Sequence, residues 1–171
     1  VDRFHIDQKQ TPIPLFDLEV TEDPKVDAAP LPERLRTLPP LDLDHALPRR
    51  IELTETSSNG VGILGINGMA GPHGELYHAH VGTTEIWTVV NTTGFDHPFH
   101  LHGFFFEVLS VDGRPWPTRE WRDTFQVAGK SEISFAVQYD DRPGMWMFHC
   151  HILDHADLGM MAMLMVMRLH E

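Results

Sequence analysis

The residues best suited to chemistry in this sequence lie in one short stretch, residues 145–160. It holds the only cysteine, Cys150, together with three histidines and three methionines. A site of two histidines and one cysteine with a weak axial methionine is the blue-copper arrangement. Cys150, His155 and Met160 offer three of those four ligands. The stretch therefore predicts a copper site that needs one more histidine.

A second group of histidines can supply that ligand. His97, His100 and His102 lie within six residues of one another. Side chains two residues apart on a strand share a face, so His100 and His102 point the same way and His97 is out of phase with them. His97 also precedes Pro98, a residue confined to strand starts, edges or bulges. We therefore expect His97 to join Cys150.

The same alternation divides the downstream stretch. On a strand, His149 and His151 face one way while Cys150, between them, faces the other. One strand would thus carry ligands of two metal centres. The spacing predicts a mononuclear centre and a second histidine cluster, formed respectively by His97, Cys150, His155 and Met160 and by His100, His102, His149 and His151. Zinc is the rival metal, but structural zinc sites favour paired Cys or Cys and His spacings.

The two motifs, His-Pro-Phe-His-Leu-His-Gly at 97–103 and His-Cys-His-Ile-Leu-Asp-His at 149–155 with Met160 beyond them, resemble the C-terminal domain of a laccase-like multicopper oxidase. The resemblance implies an all-β fold, a cupredoxin-like Greek-key sandwich or barrel. It implies copper as cofactor, with the type 1 ion on His97, Cys150, His155 and Met160, the type 2 ion on His100, and the type 3 pair on His102, His149 and His151.

The resemblance also implies an activity. A phenol, an aromatic amine or a metal ion would give electrons to the type 1 copper. Cys150 with its neighbours His149 and His151, the catalytic residues of this interpretation, would pass them to a trinuclear cluster that reduces O2 to water. An axial Met160, in place of the Leu or Phe of many fungal laccases, implies a lower type 1 potential. In the family the cluster also uses two His-x-His motifs from another cupredoxin domain, and the one candidate here, His78-Ala-His80, is predicted to be an ordinary strand end.

Two functions therefore stay open. The chain is either an oxidase domain that completes its cluster against an N-terminal cupredoxin domain, or by self-association, or a stand-alone cupredoxin that only carries electrons. The retained His100, His102, His149 and His151 favour the oxidase, although the chain alone is expected to bind only the type 1 copper. A trimer resembling nitrite reductases is a weaker third hypothesis.

The composition limits the classes of partner and the location that we expect for this chain. The 171 residues carry a net charge of −12, which opposes binding to a phosphate backbone, so we expect no nucleic-acid partner. No run of apolar residues is long enough to span a membrane, and the first residues lack the pattern of a secretory signal. A single cysteine excludes an internal disulfide. Family resemblance alone suggests a periplasmic or extracellular location.

The chain also suggests two regions. Most of the thirteen prolines lie in residues 1–48, which predicts an extended arm, or the tail of a preceding cupredoxin domain, with one strand at 15–20. Residues 49–171 show short strands separated by turn signals, typical of an antiparallel sandwich or barrel. Within them we predict a half-buried strand at 132–138, a central strand at 104–111, two helical turns at 152–158 ended by Gly159, and a buried methionine-rich strand after Met160.

Overall fold

A computed structural model describes residues 14, 16–19, 29–33, 37–58, 61–71 and 76–169. The chain divides into two compact units, residues 1–37 and 38–171. In the first unit, residues 16–19 form no strand, and the side chains of Phe16 and Leu18 are exposed. The two ends of the strand predicted at 15–20 lie outside the described residues. The assignment of 1–48 as an arm and 49–171 as the cupredoxin domain stays a prediction.

The regular secondary structure of the second unit is almost entirely β. Its described residues form, in chain order, β1 (Leu47–Ser58), β2 (Val61–Ile66), β3 (Leu76–His80), β4 (Thr84–Asn91), β5 (His97–Leu101), β6 (Phe106–Val111), β7 (Arg114–Pro115), β8 (Thr124–Val127), β9 (Glu132–Gln138), β10 (Gly144–Cys150), α1 (Leu153–Asp157) and β11 (Met161–Met167). In the described part of the chain, no helix is long and apolar enough to cross a membrane.

The strands form two sheets, in the orders β2-β1-β4-β9-β6-β7 and β3-β11-β10-β5-β8. This arrangement confirms the predicted all-β, cupredoxin-like sandwich. The pairing is not purely antiparallel, however, because β1 runs parallel to β4 and β3 runs parallel to β11. Parallel neighbours require a crossover rather than a hairpin, so turn signals between successive strands could not reveal these two pairs.

Aromatic rings fill the space between the sheets. Trp87 of β4 stacks on Phe135 of β9 and meets Phe148 of β10 edge to face, with ring centroids 5.6 and 5.0 Å apart. Both ring contacts join residues far apart in sequence, and such pairs stabilise by about 0.5–1.5 kcal/mol beyond their burial. In β9, the apolar residues at alternate positions are buried, as the strand prediction required.

A buried ion pair lies beside this core. Glu85 accepts two hydrogen bonds from Arg49, at 2.6 and 2.7 Å, and one each from the Trp87 indole and the Tyr139 hydroxyl. Glu85 is only 3% exposed. Because a buried carboxylate is costly unless its oxygens are hydrogen-bonded, the four donors explain how the charge is accommodated.

Two sequence-based expectations need correction. The strand predicted at 104–111 begins at Phe106 and lies second from the sheet edge, beside the two-residue β7, rather than at the centre. The methionine-rich strand β11 is internal to its sheet, but it is buried on one face only. Ala162, Leu164 and Val166 are buried, whereas the four methionines that alternate with them are half-exposed.

Candidate metal centres

The two histidine motifs become neighbours because β5 and β10 pair antiparallel. His100 lies opposite His149, and Phe99 lies opposite Cys150. The side chains of Phe99 and Cys150 are fully buried between the sheets, whereas His100 and His149 are only partly buried on the other face of the same two strands. The alternation predicted from the sequence therefore places Cys150 apart from the flanking histidines.

The first centre contains His97, Cys150 and His155. The Nδ1 atom of His97 lies 3.5 Å from the Cys150 sulfur, and Nδ1 of His155 lies 3.6 Å from that sulfur. The two Nδ1 atoms are 3.0 Å apart. His97 and Cys150 are completely buried, and His155 is half-buried. Three donor atoms of the predicted types thus converge on one point.

The spacing of these atoms suits a metal ion. A point equidistant from the three atoms lies about 2 Å from each of them, close to the ~2.0–2.3 Å at which imidazole nitrogen and thiolate bind zinc, an ion similar in size to copper. One thiolate with two imidazoles is the trigonal donor set that favours copper. The residues present therefore fit the copper that the motifs imply.

Burial sets the protonation of this centre. Desolvation, followed by the nearby His155, lowers the pKa of His97 to about 4, so its imidazole is neutral at pH 7. Desolvation likewise raises the pKa of the Cys150 thiol to about 11. Without a cation the cysteine therefore keeps its proton, and binding a metal would release it, because the thiolate is the ligand.

The turn that follows β10 brings the Met160 backbone back to Cys150. Helix α1 returns the chain, and the backbone N–H of Cys150 donates to the Met160 carbonyl at 3.0 Å. The Met160 side chain is completely buried. The predicted helical turns are observed at Leu153–Asp157, with Gly159 just beyond the C-cap at φ +113°, where a side chain would be strained and would collide with Ala70. The role of Met160 as axial ligand stays a prediction.

The second cluster lies on the outer face of the same sheet. Ligand atoms of His100, His102 and His149 all lie within 4.8 Å of one another, and Nε2 of His102 is 2.9 Å from Nε2 of His149. The ring of His151 lies beside this trio, with centroids 5.3 Å from His100 and 5.7 Å from His149. All four predicted histidines are therefore neighbours, and three form a compact donor group.

Backbone carbonyls orient two of these rings. Nδ1 of His149 donates to the Cys150 carbonyl at 2.7 Å, and Nδ1 of His100 donates to the Asp123 carbonyl at 2.8 Å. A proton held on Nδ1 leaves Nε2 as the ligand atom, which is how metal-binding histidines are usually fixed. Desolvation and the other histidines lower the pKa of His102, and desolvation lowers that of His149. The lowered pKa of each ring favours the neutral imidazole, which is the form that binds a metal ion.

His78 and His80 lie elsewhere. Both are on β3, the edge strand of the second sheet, and neither belongs to the metal-ligand groups found among the described residues.

The sequence did not predict two residues that lie behind the first centre. Thr93 is buried beside His97, and Asn91 is buried beside Thr93. The only sequence signal for them is the Asn-Thr-Thr run at 91–93, which precedes the His-Pro pair at 97–98.

Known proteins share the sequence pattern of this chain. The sequence profile of the family described as multicopper oxidase matches residues 42–169. A multicopper oxidase of Staphylococcus haemolyticus is 40% identical over 88 residues, covering 48% of this chain and 20% of that protein. A laccase of Haloferax volcanii is 30% identical over 147 residues, covering 81% of this chain and 25% of that protein.

The fold has counterparts among solved structures. A multicopper oxidase from Campylobacter jejuni, described as a metallo-oxidase, superposes with a TM-score of 0.71 at 28% identity. The match covers 84% of this chain and 34% of that one. The chain thus spans between a fifth and about a third of the length of these three similar proteins.

Proposed function

Because this chain belongs to the multicopper oxidase family, we propose that it is the domain of a laccase-like oxidase that carries the type 1 copper and half of the ligands of a trinuclear copper cluster. His97, Cys150, His155 and axial Met160 would hold the type 1 ion. His100, His102, His149 and His151 would serve the cluster. The multidomain proteins that this chain resembles are consistent with a further domain that completes the site.

One observation carries the proposal. A cysteine and two histidines from distant parts of the chain meet inside the core with their donor atoms 3.0–3.6 Å apart. Such polar groups cost ~1–3 kcal/mol each when buried without partners. In this arrangement they form the trigonal donor set of a blue-copper site.

The chemistry follows from the placement of the ligands. Bound copper would supply a one-electron acceptor at the first centre and, at the completed cluster, the capacity to reduce O2 to water. Cys150 and its neighbours His149 and His151 would provide the covalent connection between the two centres, and the hydrogen bond from His149 Nδ1 to the Cys150 carbonyl would add a second connection. The core aromatic residues exclude water from the first centre on the side of Phe99.

Electrons from a donor would enter at His155. Among the three candidate metal ligands His97, Cys150 and His155, the ring of His155 alone is partly exposed. It lies in the short helix α1, close to the exposed Leu153 and Leu158. Asp154 and Glu55 are close enough to raise the pKa of His155 against the dominant lowering by desolvation. Apolar and acidic surroundings suit phenols, aromatic amines or metal cations better than anionic donors.

The four histidines on the outer face of the sheet argue against a simple electron carrier. Three of them converge within 4.8 Å on the sheet face opposite Cys150. A carrier needs only the first centre, whereas an oxidase needs both. The cluster face is open in this chain, since His102 is exposed and His100 and His149 are partly exposed. Completion by an N-terminal cupredoxin domain, or by a second copy, would bury it.

Copper loading tests the proposal. The purified chain would be loaded with Cu(II), and the bound copper and the visible spectrum would be measured together. We expect about one tightly bound copper per chain and a strong blue thiolate band. A colourless complex, or copper bound only through the exposed histidines, would overturn the type 1 assignment.

A further inference from the structure

The buried His97 ring contacts Thr93 through its Nε2 atom. Oγ1 of Thr93 lies 2.8 Å from Nε2 of His97, and the two residues are 3% and 0% exposed. We propose that Thr93 is a positioning residue that keeps the proton of His97 on Nε2 and so leaves Nδ1 free to bind the metal. This inference rests on the proposed copper centre, but its first test does not require copper.

The argument begins with Asn91, whose amide orientation is fixed by the backbone. Its Nδ2 group lies 2.6 Å from the Phe95 carbonyl and 3.1 Å from the carbonyls of Val127 and Ala128. Carbonyl oxygens only accept hydrogen bonds, so the NH2 group must face them. The amide oxygen Oδ1 therefore points towards Thr93, and the backbone N–H of Thr93 donates to it at 2.9 Å.

The Thr93 hydroxyl is then constrained in turn. Its oxygen lies 2.8 Å from Asn91 Oδ1 and 3.2 Å from the Phe95 carbonyl, and both of these oxygens only accept. The single hydroxyl proton must therefore be donated to one of them. The backbone N–H of Phe95 donates to Oγ1 at 3.2 Å, which leaves one lone pair of the hydroxyl for His97.

The proton between Thr93 and His97 must consequently come from the ring. A neutral imidazole carries one N–H, and here it lies on Nε2. Nδ1 then presents its lone pair towards Cys150, 3.5 Å from the sulfur. The opposite tautomer would leave Thr93 Oγ1 and Asn91 Oδ1 2.8 Å apart with no proton between them, and it would place an N–H in the metal centre. A network whose three side chains are all buried thus prepares His97 as a ligand before any metal binds.

The direct test is nitrogen-15 NMR of the unaltered, copper-free full chain at neutral pH. Couplings between the ring protons and the two nitrogens distinguish the tautomers, and the His97 signals are assigned by their loss in His97→Gln. We expect the proton on Nε2. A proton on Nδ1 would overturn the inference, whatever the outcome of copper loading.

Variants provide the second test. Thr93→Val keeps the shape of the side chain and removes the acceptor, so we expect copper binding to weaken by about 10–100-fold, as when an outer hydrogen-bond partner of a metal-binding histidine is lost. Thr93→Ser keeps the hydroxyl and should remain within about threefold of the unaltered chain. The reduction potential should rise in Thr93→Val only, because a ring that no longer donates is a less basic ligand.

Thr92→Val is the matched control. This neighbouring hydroxyl donates to the Leu53 carbonyl at 2.8 Å and does not contact the centre. If Thr92→Val and Thr93→Val change affinity and potential equally, Thr93 acts only on the fold and the inference fails. If Thr93→Val does not fold, the NMR result on the unaltered chain decides. Failure of the unaltered chain to take up copper would instead contradict the proposed function and leave the tautomer result intact.

Discussion

His149 and Cys150 are consecutive in β10, yet their side chains belong to different centres. The Cys150 sulfur lies 3.5 Å from His97 inside the core, whereas Nε2 of His149 lies 2.9 Å from His102 on the outer face. Alternation along one strand produces this separation. The hydrogen bond from the His149 ring to the Cys150 carbonyl, at 2.7 Å, connects the two residues a second time.

The first prediction concerns the sulfur. Cys150→Ser should abolish the blue absorption band, because that band requires a thiolate, and it should weaken copper binding while leaving the fold largely intact. The measurement is the visible spectrum after copper loading, with circular dichroism as the test of folding. A blue band that persists in a folded Cys150→Ser variant would contradict the assignment.

The second prediction concerns the axial position. Met160→Leu removes a weak ligand and keeps the three donors that define the trigonal plane. The blue band should persist, and the reduction potential of the copper should rise, since the axial ligand tunes it. Potentiometric titration measures the change. Met163→Leu is the matched control, because Met163 lies half-exposed in β11, and its potential should not move.

The sequence predicted which of the candidate ligands lie together better than it predicted the sheets. The ligand groups follow from a period of two and from two motifs, so His97 could be separated from His100 without a structure. The parallel pairing of β1 with β4 joins segments more than thirty residues apart, and no local signal encodes it. The half-exposed methionines of β11 show the same limit. A strand with apolar residues on both faces does not reveal which face packs on the core.

The hydrogen bonds that hold the His97 ring could not be predicted from residue spacing either. The proposed tautomer depends on Asn91, on Thr93 and on carbonyls of residues 95, 127 and 128, which meet only after β4, β5 and β8 have assembled. Such hydrogen-bond networks have no fixed spacing in sequence. The candidate ligands are therefore readable from the chain, whereas the hydrogen bonds proposed to prepare His97 for a metal depend on the fold.

The third prediction concerns the buried ion pair. Glu85→Gln should lower the free energy of unfolding by about 3–5 kcal/mol, because it leaves the Arg49 guanidinium without its buried counter-charge. Urea denaturation of the copper-free chain measures the loss. Glu52→Gln is the control. Its partner is Arg50, and their side chains are 41% and 58% exposed, so the change should cost less than about 1 kcal/mol. Equal losses would contradict the role of Glu85.

The fourth prediction concerns the ionisation of Tyr139. Burial, followed by the negative charge of Glu85, raises the pKa of this phenol well above its usual value. Because the folded chain favours the neutral phenol, its contribution to stability is present below about pH 10 and is lost as the pH rises further. In an absorbance titration Tyr139 should ionise only as the chain unfolds. The part of that late step that belongs to Tyr139 should be absent in Tyr139→Phe and retained in Tyr77→Phe.

The last prediction is that the copper-loaded chain, as a monomer, does not reduce O2. The chain offers His100, His102, His149 and His151 on one open face, whereas the trinuclear cluster of the family needs four more histidines. His78 and His80 lie on the edge strand β3 and belong to no ligand group found among the described residues.

The measurement is oxygen consumption with a phenolic donor, run together with the molecular mass in solution. Reduction of the blue centre by the donor should occur without oxygen uptake. Turnover by a monomer would contradict the prediction. Turnover confined to an oligomer would show that a second copy supplies the missing ligands, and His102→Ala, which alters an exposed cluster residue and leaves the first centre untouched, should then abolish oxygen uptake while the blue band remains.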